Sequence, residues 1–200
     1  MIVDEAEARA SEAVDLRAGR NAEGAVVERN NVRAAYQKVV RNDGGPGYLG
    51  YTMTAIAGIR LRFARESQVR LQRRVRELLR QGTGRSLKHT IEVLNPVLRG
   101  WASYFRLSES RRPWEELDGW IRRRLRGLIW QQAKTRQRRT EMLRRRGLSV
   151  VRAWHSARNG HGSWWNAGAS HMNEAFPKAF FDKAGLLSLT DTVHYLQRLA

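Results

Sequence analysis

Arg123, Arg126, Trp130 and Lys134 follow one another at steps of three, four and four residues, a spacing that gathers three cations and an indole on one side of a helix. An indole among cations offers a stacking face for an unpaired base and charge for its phosphate. The competing reading buries Trp130 under a neighbouring helix and leaves the arginines solvated, and the spacing keeps both open. Downstream, Arg136, Arg138, Arg139, Arg144, Arg145 and Arg146 form the densest positive run of the chain. Such a run attracts phosphates in any conformation, but it carries no sequence specificity. Upstream, Arg99-Gly100-Trp101-Ala102-Ser103-Tyr104-Phe105 crowds three aromatics together. Helical spacing gives Trp101 and Phe105 to the core and leaves Arg99, Tyr104 and Arg106 for direct contact with RNA. Arg122, beside the first group, completes the candidate contacts.

Other chemistries find less support. The chain has no cysteine, which excludes disulfides, zinc knuckles and thiol nucleophiles. His155, His161 and His171 are separated by six and ten residues across a glycine-rich stretch, which matches no metal-ligand spacing; a surface or structural role is expected for each. Asp118, Asp182 and Asp191 stand apart, with no Asp-Asp pair on a hairpin. Nucleotidyl transfer needs carboxylates holding paired divalent ions, so no catalytic residue, metal site or cofactor is assigned.

The charge balance points the same way as the clusters. Lys and Arg number 37 against 19 Asp and Glu, a formal net charge of +18. Through Gly47 there are eight acids and seven bases, so the following residues carry +19. An excess of this size favours a polyanionic partner and would draw RNA or DNA without specificity. No apolar run reaches membrane-spanning length, and the first residues alternate acids and bases without an apolar core. A cytoplasmic protein is therefore the default.

The elements that must position these residues are mostly helical. Leu71, Val75, Leu78 and Leu79 share one face of a helix over Ala64 to Gln81, with Arg73, Arg76 and Arg80 opposite. Ser86 can cap the next, whose stripe is Ile91, Leu94, Leu98, Trp101 and Phe105; Pro96 interrupts it, predicting two helices or one kinked helix. A long helix should begin near Pro113 and run to about Lys134, with Trp114, Leu117, Ile121, Leu125 and Leu128 as its core stripe. Shorter helices are expected over Thr135 to Arg146, Ser149 to Arg158 and Thr190 to Leu199, with a glycine-rich stretch from Asn159 to Ser170 between the last two. Asn31 can cap a short helix through Val40. The alternation of Ile59, Leu61 and Phe63 with Arg60 and Arg62 suits a strand of a hairpin turning at Gly58.

Gly84-Arg85-Ser86-Leu87, then Leu94-Asn95-Pro96-Val97-Leu98-Arg99-Gly100-Trp101-Ala102-Ser103-Tyr104-Phe105, then Trp120, Arg124 and Trp130, resemble the maturase-specific domain of group II intron reverse transcriptases. Tyr48-Leu49-Gly50-Tyr51-Thr52-Met53 resembles the last reverse-transcriptase block before the thumb. Trp164-Trp165 through Leu189 is similar to the family's C-terminal tail, and Asn31 to Gly47 resembles its N-terminal block. In the family, fingers and palm lie between the first and last of these polymerase blocks; here Gly47 runs directly into Tyr48. The resemblance implies an internally deleted chain without the catalytic palm, its Asp-Asp pair or the ligands for the family's magnesium.

The fold expected is mainly α, a helical thumb and maturase bundle with one small hairpin near residues 48–63. Four regions are expected: a remnant, partly disordered N-terminal segment at 1–47, the end-of-palm hairpin and thumb-like helix at 48–82, the maturase-specific helices at 83–146, and a tail of short helices at 147–200. The function implied is binding of structured group II intron-like RNA to assist its splicing, without polymerase activity. Two alternatives stand beside it: a reverse-transcriptase fragment active only with a separate palm chain, and a non-functional remnant. A thumb without its palm would bare Leu71, Leu78 or the hairpin and favour self-association.

Overall fold

The structure, a computed structural model, describes residues 50–54, 60–81 and 84–199. The helix expected after Asn31, the boundary at Gly44-Gly45-Pro46-Gly47 and the turn at Gly58 lie outside the described residues. The rest is a mainly helical fold with one antiparallel hairpin.

Strands β1 (Tyr51–Thr54) and β2 (Arg60–Phe63) pair with Tyr51 opposite Phe63 and Met53 opposite Leu61. A two-stranded hairpin needs further support to persist in water, and side chains of the helices provide it. Phe63 is fully buried, its ring 4.8 Å from that of Trp101 and 5.0 Å from that of Trp114. The hairpin backbone is also tied down, because Glu109 N–H donates to the Leu61 carbonyl at 2.9 Å.

Helix α1 (Arg65–Gln81) buries Leu71, Val75, Leu78 and Leu79 and exposes Arg73, Arg76 and Arg80. The expectation that Leu71 and Leu78 lie bare is therefore corrected: they join a core with residues of the following helices. Helix α2 (Leu87–Tyr104) starts at Ser86, whose hydroxyl accepts from His89 N–H. It is a single helix with Pro96 inside it, which sets aside the two-helix alternative. Pro96 and Glu92, four residues before it, are both exposed, so water can reach the Glu92 carbonyl that a proline nitrogen cannot bond.

Helix α3 (Arg111–Gln132) begins two residues earlier than expected and ends two residues sooner. Pro113 still falls in the first turn, where backbone N–H groups have no partner within the helix. Trp114, Leu117, Ile121 and Leu125 are buried against Ile91, Leu94 and Leu98 of α2 in one hydrophobic cluster that also holds Phe105. Trp101 is only half-buried, at the edge of this cluster.

Thr135 caps α4 (Arg136–Arg145), which stops ahead of Gly147 at φ 96°, a left-handed conformation that glycine adopts without a Cβ clash. Ser149 caps α5 (Val150–Arg158). The stretch from Asn159 to Ser170, expected as a glycine-rich connection, instead holds α6 (Ser163–Gly168). Buried Asn166 explains the difference: its amide donates to the carbonyls of His161 and Gly162 at 2.9 and 3.1 Å, and its Oδ1 accepts from Asn159. Helices α7 (Ser170–Ala175), α8 (Lys178–Lys183) and α9 (Leu189–Arg198) follow.

The tail is held to the bundle by polar groups as well as by apolar contact. Asn95 of α2 donates to the Gly185 carbonyl at 2.8 Å and accepts from Leu187 N–H at 3.0 Å. Asp118 of α3, 5% exposed, accepts from the backbone of Leu189 and Thr190 and the hydroxyls of Ser188 and Thr190. At the far end of α9, the Gln197 amide donates to the carbonyls of Arg106 and Ser108.

Candidate nucleic-acid interface

Trp120 and Arg124 sit one helical turn apart on α3, and Arg76 of α1 reaches the same indole. The Arg76 and Arg124 guanidinium carbons lie 5.3 and 5.2 Å from the Trp120 ring centre. Arg124 also lies 4.3 Å from the ring centre of Trp164 on α6, and Arg123 lies 4.1 Å from that ring. Three guanidinium groups and two indoles thus form one connected series across α1, α3 and α6. Each such contact is worth about 0.5–2 kcal/mol. Arg123 is fixed further by donating to the Trp164 carbonyl at 3.2 Å.

This series concentrates positive charge. Among the described residues, no carboxylate forms an ion pair with Arg76, Arg123 or Arg124. The Nε atoms of Arg123 and Arg124 are buried without a hydrogen-bond partner. Burial, and then the charges of Arg76 and Arg123, pull the Arg124 guanidinium below the ordinary arginine range. An anion placed here would relieve both the mutual repulsion and the unmet donors. Beside the series opens a cavity of about 310 Å³, lined by Arg76, Leu79, Arg80, Arg124, Leu128, Gln131, Ser163 and Trp164.

The first cluster read from spacing is divided by the fold. Arg123 is half-exposed and joins the series, and Lys134 is exposed beyond the end of α3. Arg126 and Trp130, expected beside them on a solvent-facing side, are 8% and 1% exposed. The tail supplies their cover. Arg126 donates to the Phe176 carbonyl at 2.9 Å, and Trp130 lies 5.6 Å from the His171 ring with Arg139 over its face at 4.7 Å. The core stripe is thus one of two buried faces of α3. Burial, then the charge of Arg122, lowers the Arg126 pKa.

Of the basic run, Arg136, Arg138, Arg144, Arg145 and Arg146 are exposed. Arg144 and Arg145 both pair with Glu141, and Arg146 lies over the Phe180 ring at 4.3 Å. Arg139 is half-buried, donating to the Ala133 carbonyl. Arg122 is half-buried on the α3 side that carries Asp118, where it lines a shallow cleft with Lys178.

Arg99, Tyr104 and Arg106 are exposed at the end of α2. Tyr104 borders a wide groove of about 750 Å³ between α1 and α2, with Arg70, Arg74, Pro96, Gly100 and Trp101. The Tyr51 hydroxyl donates to the Tyr104 carbonyl at 2.6 Å, and burial pushes its pKa up to about 12.

The three histidines occupy separate surroundings. His155 meets Trp154 edge-on, His161 stacks on Trp165 at 3.9 Å, and His171 is buried beside Trp130. Burial, with Arg152 nearby, lowers the His171 pKa. Among the described residues no group of three His, Asp or Glu side chains is placed to hold a metal ion, and no helix is long and apolar enough to cross a membrane.

Arg76, Trp120, Arg124, Gln131, Ser163 and the pairing of Trp164 with α3 were absent from the candidate contacts read from sequence. The four-residue step from Trp120 to Arg124 is a usable signal for two of the five members of the series. Nothing in local spacing connects either residue to Trp164, forty positions later.

No curated protein matches the chain significantly. Residues 68–147, which run from α1 through α4 and carry Arg76, Trp120, Arg123 and Arg124, match the family model for the group II intron, maturase-specific domain, and this supports a group II intron maturase-type protein.

Proposed function

We propose that the chain binds structured, group II intron-like RNA and assists its splicing in the manner of a maturase, without polymerase activity of its own. The observation that carries this reading is the set of three guanidinium groups on α1 and α3, stacked with two indoles and lacking acidic partners. Stacked arginine combines charge for phosphate with a planar face for bases. The exposed arginines of α4 extend the positive surface beyond the series. The match of residues 68–147 to the maturase-specific domain makes an intron RNA the first partner to test.

Filter binding to a structured intron RNA across a salt series tests the proposal. Affinity should fall steeply between about 50 and 200 mM salt, by several orders of magnitude if six or more phosphates are engaged. Weak binding that ignores salt would refute it. Primer extension by this chain alone should give no product above background, and extension would refute the claim of binding without polymerisation.

A further inference from the structure

The cavity beside the guanidinium series differs from a plain basic surface in having an apolar floor. Leu79 is 8% and Leu128 4% exposed, and both line it together with Arg76 and Arg124. Exposed Gln131 lines it too, and its amide donates to the Ser163 hydroxyl at 3.0 Å, which adds a carboxamide, donor and acceptor in one group. A volume of about 310 Å³ lies at the lower end of the range for small-molecule sites, roughly 300–1,000 Å³. Phosphate binding alone would need no apolar floor. A flat heterocycle carrying a phosphate uses all three features.

We propose that this cavity receives a single unpaired nucleotide of RNA, its base resting on Leu79 and Leu128 with an edge toward Gln131, and its phosphate held by Arg76 and Arg124. The inference rests on the RNA-binding reading and adds to it a preference for an unpaired nucleotide. A paired base cannot reach the floor, because its flat faces are occupied by its neighbours in the helix; a bulged or looped one can be turned out. The contacts to base and phosphate are both local to one nucleotide, so a bulge in a duplex is a sufficient ligand.

The test compares two RNA hairpins whose strands are joined by an ethylene-glycol linker, so that no loop nucleotide is present, one fully paired and one carrying a single-nucleotide bulge, using the full chain and its Gln131→Trp variant. Gln131 is exposed, and an indole there would close the opening without changing any charge. The wild type should bind the bulged hairpin about tenfold more tightly, within the worth of one well-placed base. Gln131→Trp should remove that preference, lowering affinity for the bulged hairpin by about tenfold relative to the paired one. Arg124→Gln, should Gln131→Trp fail to fold, must likewise reduce affinity for the bulged hairpin more than for the paired one. Equal binding of the two hairpins by the wild type, or a preference that survives in a folded variant, would overturn the inference and leave RNA binding standing. Failure to bind either hairpin would overturn both.

Discussion

The Asp118 carboxylate accepts both the backbone N–H and the hydroxyl of Thr190, at 3.0 and 2.7 Å. One side chain of α3 thereby caps α9, a helix that starts seventy residues later in the chain. Asp118→Ala should lower stability by about 2–4 kcal/mol, since it removes bonds to a charged acceptor and strands the buried Leu189 N–H. Urea unfolding measures the loss, and an unchanged midpoint would refute the capping role. Asp118→Asn should fall between the two.

The two tryptophans that pack on Phe63 should separate in the same assay. Trp114 is 2% exposed, and its replacement by Ala should cost about 3–5 kcal/mol. Trp101 is only half-buried, so Trp101→Ala should cost about 2–3 kcal/mol. Trp114→Phe should be milder than either, because the indole N–H it deletes has no hydrogen-bond partner.

Stability should depend on His171 in mildly acidic solution. Its folded-state pKa is lowered by burial and Arg152, so the unfolded chain binds the proton more readily. The contribution is fully present above the unfolded value of about 6.5 and is lost as the pH falls toward the lower folded value. The melting temperature should therefore drop between about pH 7 and pH 5, and His171→Gln should flatten that slope. An equally steep slope in the variant would count against this origin.

Arg136 and Arg138 are exposed, and among the described residues neither side chain pairs with a carboxylate. Replacing both with Ala should make the dependence of log affinity on log salt shallower by about two, if each engages a phosphate. The melting temperature should not move. An unchanged slope would remove them from the interface.

Gly168 offers a local test of the guanidinium series. A Cβ there would come within 2.7 Å of the Arg123 guanidinium, the movable end of a side chain. Gly168→Ala should leave the fold intact and displace Arg123 from Trp164. In a nitrogen–proton spectrum the Trp164 indole signal should shift while that of Trp114 stays.

The sequence made some parts of this fold readable and hid others for identifiable reasons. The stripe Leu71-Val75-Leu78 marks a helix buried on one side, Trp114-Leu117-Ile121 marks one covered face of α3, and the alternation before Phe63 marks the hairpin. Pro96 left a break or a single helix open, and the single helix is found, with Pro96 and Glu92 both exposed. Trp130 and Arg126 misled because α3 has two covered faces, and the second cover comes from Phe176 and His171. Of the guanidinium series only the step from Trp120 to Arg124 is local; Arg76 and Trp164 join it through tertiary folding.

Asn95, Asp118, Arg126 and Trp130 all lie within residues 68–147, yet the groups that satisfy or cover them lie almost entirely between His171 and Thr190. The limit of the family match is therefore not a limit of folding. On the ribosome, a chain that has grown only to Gly147 carries a carboxylate, a guanidinium and an indole whose partners are still unmade, and these groups are satisfied or covered only after residues 171–190 have been made.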